Sequence, residues 1–125
     1  MRDELWTSVD AYINGLFVGS DAALDAALKA SDDGGLPSIQ VAANQGKLLM
    51  ILARAMGARR ILEIGTLGGY STIWLARELP PDGRLVTLEL EQKHAMVARS
   101  YIARAGLGGR GKVRVRPAPA WLADR

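Results

Sequence analysis

Apolar residues recur at helical spacing through the first part of the chain. Leu5, Val9, Tyr12, Ile13, Leu16 and Phe17 stand three and four residues apart and predict an amphipathic helix. Ser20-Asp21 precedes a second such set, Leu24, Ala27 and Leu28, as a capping residue precedes a helix. Ser31-Asp32-Asp33-Gly34-Gly35 breaks it. Pro37-Ser38 opens a third predicted helix running to about Met56, and its Leu48–Ala53 stretch, apolar all round, is expected to be buried. Gly57 ends it.

The rhythm then changes. Arg60-Ile61-Leu62-Glu63-Ile64 is a short, nearly continuous apolar run, as in a parallel strand covered on both faces. Gly65-Thr66-Leu67-Gly68-Gly69-Tyr70 reads as a turn, and Ser71 starts a helix through Ile73, Trp74, Leu75 and Leu79. Pro80-Pro81-Asp82-Gly83 is a loop, and Arg84–Glu89 a second strand. A helix follows with Val97, Ala98, Tyr101, Ile102 and Ala105 inward, ending near Gly106. Lys112–Arg116 alternates strictly, so the third strand has a wet face or lies at a sheet edge. Strands joined by helical crossovers imply right-handed units and a parallel sheet. The class is α/β. Residues 1–57 form leading helices and residues 58–125 the first half of an open sheet, together one domain. Three strands are few for such a sheet, and the first would expose a hydrophobic edge. The expectation is a fragment, or a chain completed by a second chain.

Composition changes this picture little. The chain has 125 residues, 49% hydrophobic and 23% charged, an ordinary folded composition. Its longest apolar run, Leu48–Ala53, is far short of the roughly 20 residues of a membrane span. No secretory signal follows Met1-Arg2-Asp3-Glu4, and cysteine is absent, which removes disulfides and thiolate chemistry. A cytoplasmic protein with no membrane partner is expected. Residues 1–62 carry 6 Lys/Arg against 7 Asp/Glu, and residues 63–125 carry 10 against 6. The basic excess alternates with apolar residues, as on a solvated surface, so nucleic acid is not the expected partner.

The candidate chemistry lies in Leu62–Ser71. A glycine-rich turn between strand and helix lets a ligand approach the backbone, at the carboxyl end of the sheet where such folds bind ligands. Glu89, 24 residues after Gly65, closes the second strand and is placed to accept hydrogen bonds from ribose hydroxyls. The dinucleotide pattern Gly-x-Gly-x-x-Gly is not met. Glu63, just before the turn, would repel a pyrophosphate and suits a cationic or neutral ligand. S-adenosylmethionine has no phosphate and carries a sulfonium and an ammonium.

Gln45–Leu49, Ala58–Ala76 and Asp82–Glu89 resemble the cation-dependent O-methyltransferases of caffeoyl-CoA and catechol type, above all their bacterial members. The resemblance covers nearly the whole chain. It implies a Rossmann-type class I methyltransferase fold, truncated after about the third parallel strand and preceded by N-terminal helices. It places Val41, Glu63, Gly65, Thr66, Ser71, Glu89 and Ala118 on S-adenosylmethionine-contacting positions. Glu89 would bind the ribose, Ala118 would lie near the adenine, and the Gly65–Ser71 turn, Gly69 included, would hold the methionine portion. After strand three, Arg116-Pro117-Ala118-Pro119 departs from the family's Gly-Pro-Ala-Leu. The family's metal-binding acids and catalytic lysine lie on later strands without counterparts here. No catalytic or metal residue is therefore assigned. A divalent cation is expected only in the intact family member, and this chain alone is expected to be poorly active or inactive. The implied reaction is methyl transfer to a hydroxyl of a small phenolic or catechol-like acceptor, in a homodimer to which the N-terminal helices contribute.

Other residues read as structural. His94, the only histidine, is expected at the surface, Lys47 over apolar surface, and Trp6, Trp74 and Trp121 in packing. The rival readings are a non-catalytic interaction module with the same fold and an NAD-dependent oxidoreductase half-domain. A related variant of the methyltransferase reading has RNA as the methyl acceptor, steered by the basic second half.

Overall fold

The computed structural model describes residues 2–108 and 113–118. Three helices lead: α1 (Arg2–Phe17), α2 (Ala22–Asp33) and α3 (Ala43–Ala55). They are followed by β1 (Arg60–Ile64), α4 (Tyr70–Arg77), β2 (Arg84–Glu89), α5 (Gln92–Arg104) and β3 (Val113–Pro117). The strands form one parallel sheet in the order β1-β2-β3. Of the predicted third strand, Lys112 lies outside the described residues, as does Trp121.

Each boundary has a local cause. The Asp21 carboxylate accepts from Ala23 and Leu24 N–H, both at 3.1 Å, and so starts α2. Gly57, at φ +60°, lets the chain leave α3 in the left-handed region. α3 begins six residues later than Pro37 suggests. Residues 38–42 stay out of the helix, and the Gln45 side chain accepts from Ala42 N–H at 3.0 Å.

The core lies between the helices and the sheet. Leu24, Ala27, Ile73, Trp74, Leu85, Ala98, Ile102 and Val113 are buried there. α4 and α5 pack on β2, α5 also on β3, and α3 lies against α4 and α1. Two burial expectations fail. Leu48, Ile51 and Leu52 of α3 are exposed, because only one side of the helix meets α4 and α1. β1 is not covered on both faces: among the described residues no strand pairs with its outer edge, and Leu62 and Ile64 are 52% and 79% exposed. β3 behaves as its alternation predicts, with Val113 buried and Arg114 and Arg116 exposed.

Candidate functional site

The parallel register brings the ends of β1 and β2 together. Ile64 pairs with Leu88, and Gly65 N–H donates to the Leu88 carbonyl at 2.8 Å, so the turn after β1 starts beside Glu89. The turn needs unusual backbone. Gly65 and Gly69 have φ +93° and +88°, and Leu67 has φ +50°. At Gly69 a Cβ would also stand 3.3 Å from Ile102 and 3.4 Å from Ala98, so this glycine lets the turn close on α5.

A cavity of about 420 Å³ opens over the turn, within the range of small-molecule sites. The floor is Gly65–Gly68, Tyr70 and Ser71; Glu89, Leu90, Glu91 and His94 form one wall; Leu28 and Ser31 of α2 with Ile39, Gln40 and Val41 form the other. The late start of α3 thus has a use, since the extended residues before it complete the wall.

Glu89 is 9% exposed. Leu67 N–H donates to its Oε2 at 2.8 Å and Glu91 N–H to its Oε1 at 2.9 Å, while His94 Nδ1 stands 3.6 Å from Oε1. Burial pushes the carboxyl pKa up, but the N–H groups of Glu91 and Leu67, the attraction of His94 and the N–H of Leu90 outweigh it. The net position is below the ordinary value. A carboxylate offers about four lone-pair sites, so acceptor capacity remains beyond its backbone donors. That capacity suits ligand hydroxyls.

Glu63 is placed differently. Ser71 Oγ donates to its Oε1 at 2.5 Å, and Thr72 and Thr87 Oγ1 donate to its Oε2 at 2.5 and 2.6 Å. Of the residues singled out from the sequence, Val41, Gly65, Thr66, Ser71 and Glu89 line the cavity; Glu63, Gly69 and Ala118 do not. Glu63 stands one hydrogen bond behind the wall, through Ser71.

Residues 18–124 match the O-methyltransferase family. The chain belongs to that family. It is 59% identical over 110 residues to a catechol O-methyltransferase of Mycobacterium tuberculosis, covering 88% of this chain and 50% of that protein. It is 50% identical over 114 residues to another from Niastella koreensis, covering 91% and 52%. Among solved structures it resembles the O-methyltransferase from Bacillus cereus in complex with SAH, with TM-score 0.89, 49% identity and 97% of this chain covered against 55% of that one. It also resembles TomG from Streptomyces achromogenes in complex with SAM, with TM-score 0.88, 51% identity and coverage of 99% and 56%. The chain spans about half the length of the curated relatives it matches.

Measured against this O-methyltransferase fold, the sequence reading misses one wall residue with chemistry. His94 is not a surface residue: its side chain is 18% exposed and lines the cavity. The available signal was positional, because a residue five after Glu89 lies on the first turn of the helix that leaves the strand end. Lys47 does more than cover apolar surface, since its Nζ donates to the Phe17 carbonyl.

Proposed function

We propose that this chain forms the S-adenosylmethionine-binding part of an O-methyltransferase that methylates a hydroxyl of a small phenolic or catechol-like acceptor. The observation that carries the reading is the Glu89 carboxylate, nearly buried at the cavity wall with both oxygens oriented by backbone N–H groups. Its acceptor sites match the two ribose hydroxyls. The glycine turn beside it offers backbone to the methionine portion, with Thr66, Ser71 and Val41 around it and Glu63 behind. Gly69 sets the turn's course, and Ala118 remains the proposed neighbour of the adenine.

Transfer forms a carbon–oxygen bond to the acceptor as the carbon–sulfur bond of the sulfonium breaks; the hydroxyl proton leaves and a neutral thioether remains. Such an in-line displacement requires alignment more than a protein nucleophile. This chain's residues contribute by holding the donor. The metal that helps deprotonate the acceptor in the family reading needs several acidic or histidine ligands, and among the described residues no such group gathers.

A homodimer is part of the proposal. Leu5, Trp6, Tyr12, Leu16 and Phe17 lie exposed along α1, which packs chiefly on α3, and this apolar side supports a contact between two copies. Residues 1–125 are read as one folding unit, placed in the cytoplasm in keeping with the cysteine-free sequence. No helix among the described residues is long and apolar enough to cross a membrane.

The test is calorimetric titration of the 125-residue chain with S-adenosylmethionine, S-adenosylhomocysteine and NADH. Binding of the first two and not the third is the expected outcome. Binding of NADH alone would support the oxidoreductase reading, and binding of none the interaction module.

A further inference from the structure

We propose that His94 is a second hydrogen-bonding partner for the ligand diol that Glu89 receives, so that the ribose is held between a carboxylate and an imidazole. This rests on reading the cavity as an adenosine site.

The argument is an account of hydrogen-bond donors. A carboxylate only accepts, so two ribose hydroxyls that both donate to Glu89 still present lone pairs that need donors. Apart from the Tyr70 hydroxyl and the Gln40 amide, the side-chain hydroxyl and amide donors of the cavity wall are already committed. Ser31 Oγ donates to the Ala27 carbonyl at 2.9 Å, and Ser71 Oγ to Glu63 at 2.5 Å. Thr87 gives its one hydrogen to Glu63, so in its 2.6 Å contact with Thr66 the hydrogen belongs to Thr66. His94 donates from Nδ1 in the tautomer that carries its hydrogen there, and the structure sets that nitrogen beside the Glu89 carboxylate.

The distance agrees. Nδ1 to Oε1 is 3.6 Å, too long for a direct hydrogen bond. A hydroxyl seated against both groups closes that gap, donating to Oε1 and accepting from the ring. The ring is held for this role, on the first turn of α5 and with its side chain only 18% exposed.

The experiment compares S-adenosylhomocysteine with its 2′-deoxy and 3′-deoxy analogues, titrated into the 125-residue wild-type chain and into His94→Phe, His94→Ala and His94→Gln. Phe keeps a flat ring without N–H, Ala remains readable if Phe does not fold, and Gln restores a donor. The wild type should prefer the ribose ligand over at least one deoxy analogue by about tenfold. In Phe and Ala that ratio should fall at least fivefold, through weaker ribose binding, and in Gln it should largely return. A ratio unchanged in Phe and Ala, with wild-type binding intact, overturns the role of His94 and leaves the adenosine site standing. A wild-type chain that binds no S-adenosylhomocysteine overturns both.

Discussion

Two acidic residues, one turn apart in the fold, occupy opposite sides of a cavity wall. Glu89 faces in with its oxygens held by backbone N–H groups; Glu63 faces a ring of hydroxyls from Ser71, Thr72 and Thr87. The pleat puts both on one face of the sheet, and the difference is position along it: Glu63 pairs with buried Thr87, whereas Glu89 extends past the end of β1. Glu89→Gln keeps shape but turns an amide N–H toward a backbone N–H that now donates to the carboxylate. The expected result is a ten- to hundredfold loss of S-adenosylhomocysteine affinity by calorimetry, the scale of a charge-assisted hydrogen bond. The pH dependence follows from the lowered carboxyl pKa. The carboxyl is more than half ionised at the ordinary value of 4.5, so the midpoint of its acid loss of affinity should lie below that pH. A midpoint at higher pH, absent in Glu89→Gln, would show that Glu89 titrates in the ordinary range or above.

Elements hold together here by two kinds of contact. α3 and α4 meet where Gly46 lies under the Trp74 indole, and a Cβ at Gly46 would overlap the ring. Gly46→Ala should therefore cost about 1–3 kcal/mol by overpacking, despite alanine's better helix propensity, read as a lowered urea midpoint. α2 and α4 are joined by Asp21, which caps α2 and takes both Arg77 nitrogens at 2.6 and 2.9 Å. The Arg77 hydrogen bond chiefly, against the opposing effect of burial and with help from the Leu24 and Ala23 N–H groups, holds Asp21 at about 2 instead of 3.8. A carboxyl depressed in the folded state adds stability that is complete above its unfolded value and is lost as pH falls from 3.8 toward about 2. Asp21→Asn keeps a cap and loses the charge, and should cost about 1–2 kcal/mol at neutral pH after allowing for solvent screening. That deficit should shrink as pH falls through 3.8 and vanish only below about 2, whereas Asp21→Ala keeps a residual loss from the missing cap. Both of these joints were half legible in the sequence. Ser20-Asp21 announced the cap, and the strands, the glycine turn and Glu89 could be placed by period and spacing. Arg77 and Trp74 could not be matched to partners 56 and 28 residues away, because local periodicity carries no information about which helix faces which. The same limit hid His94 and led Leu48–Ala53 to be read as buried: an apolar stretch signals a demand for cover, and the described fold supplies it on one side only.

At the scale of the molecule the unsatisfied demand among the described residues collects on α1, the outer side of α3 and the outer side of β1. A parallel sheet is stable when both faces are covered, yet Leu62 and Ile64 point their side chains outward from a strand whose outer edge no described strand pairs. The curated relatives this chain matches extend well beyond the half that aligns with it. The 125-residue chain should consequently bind apolar dyes and self-associate as its concentration rises, with β1 as one seat of that association. Leu62→Lys combined with Ile64→Lys sets two charges on the exposed side, as natural edge strands do, and lies outside the cavity lining. The double variant should lower dye fluorescence and shift the heavier species in sedimentation velocity toward smaller ones. Trp6→Glu with Tyr12→Glu on α1 should remove a saturable dimer and leave the β1 association in place. If the α1 variant alone disperses every heavier species, β1 is not sticky in solution, and the pairing of copies runs through the leading helix only. If both double variants leave the distribution unchanged, neither apolar surface drives association, and the homodimer proposed for α1 fails with it.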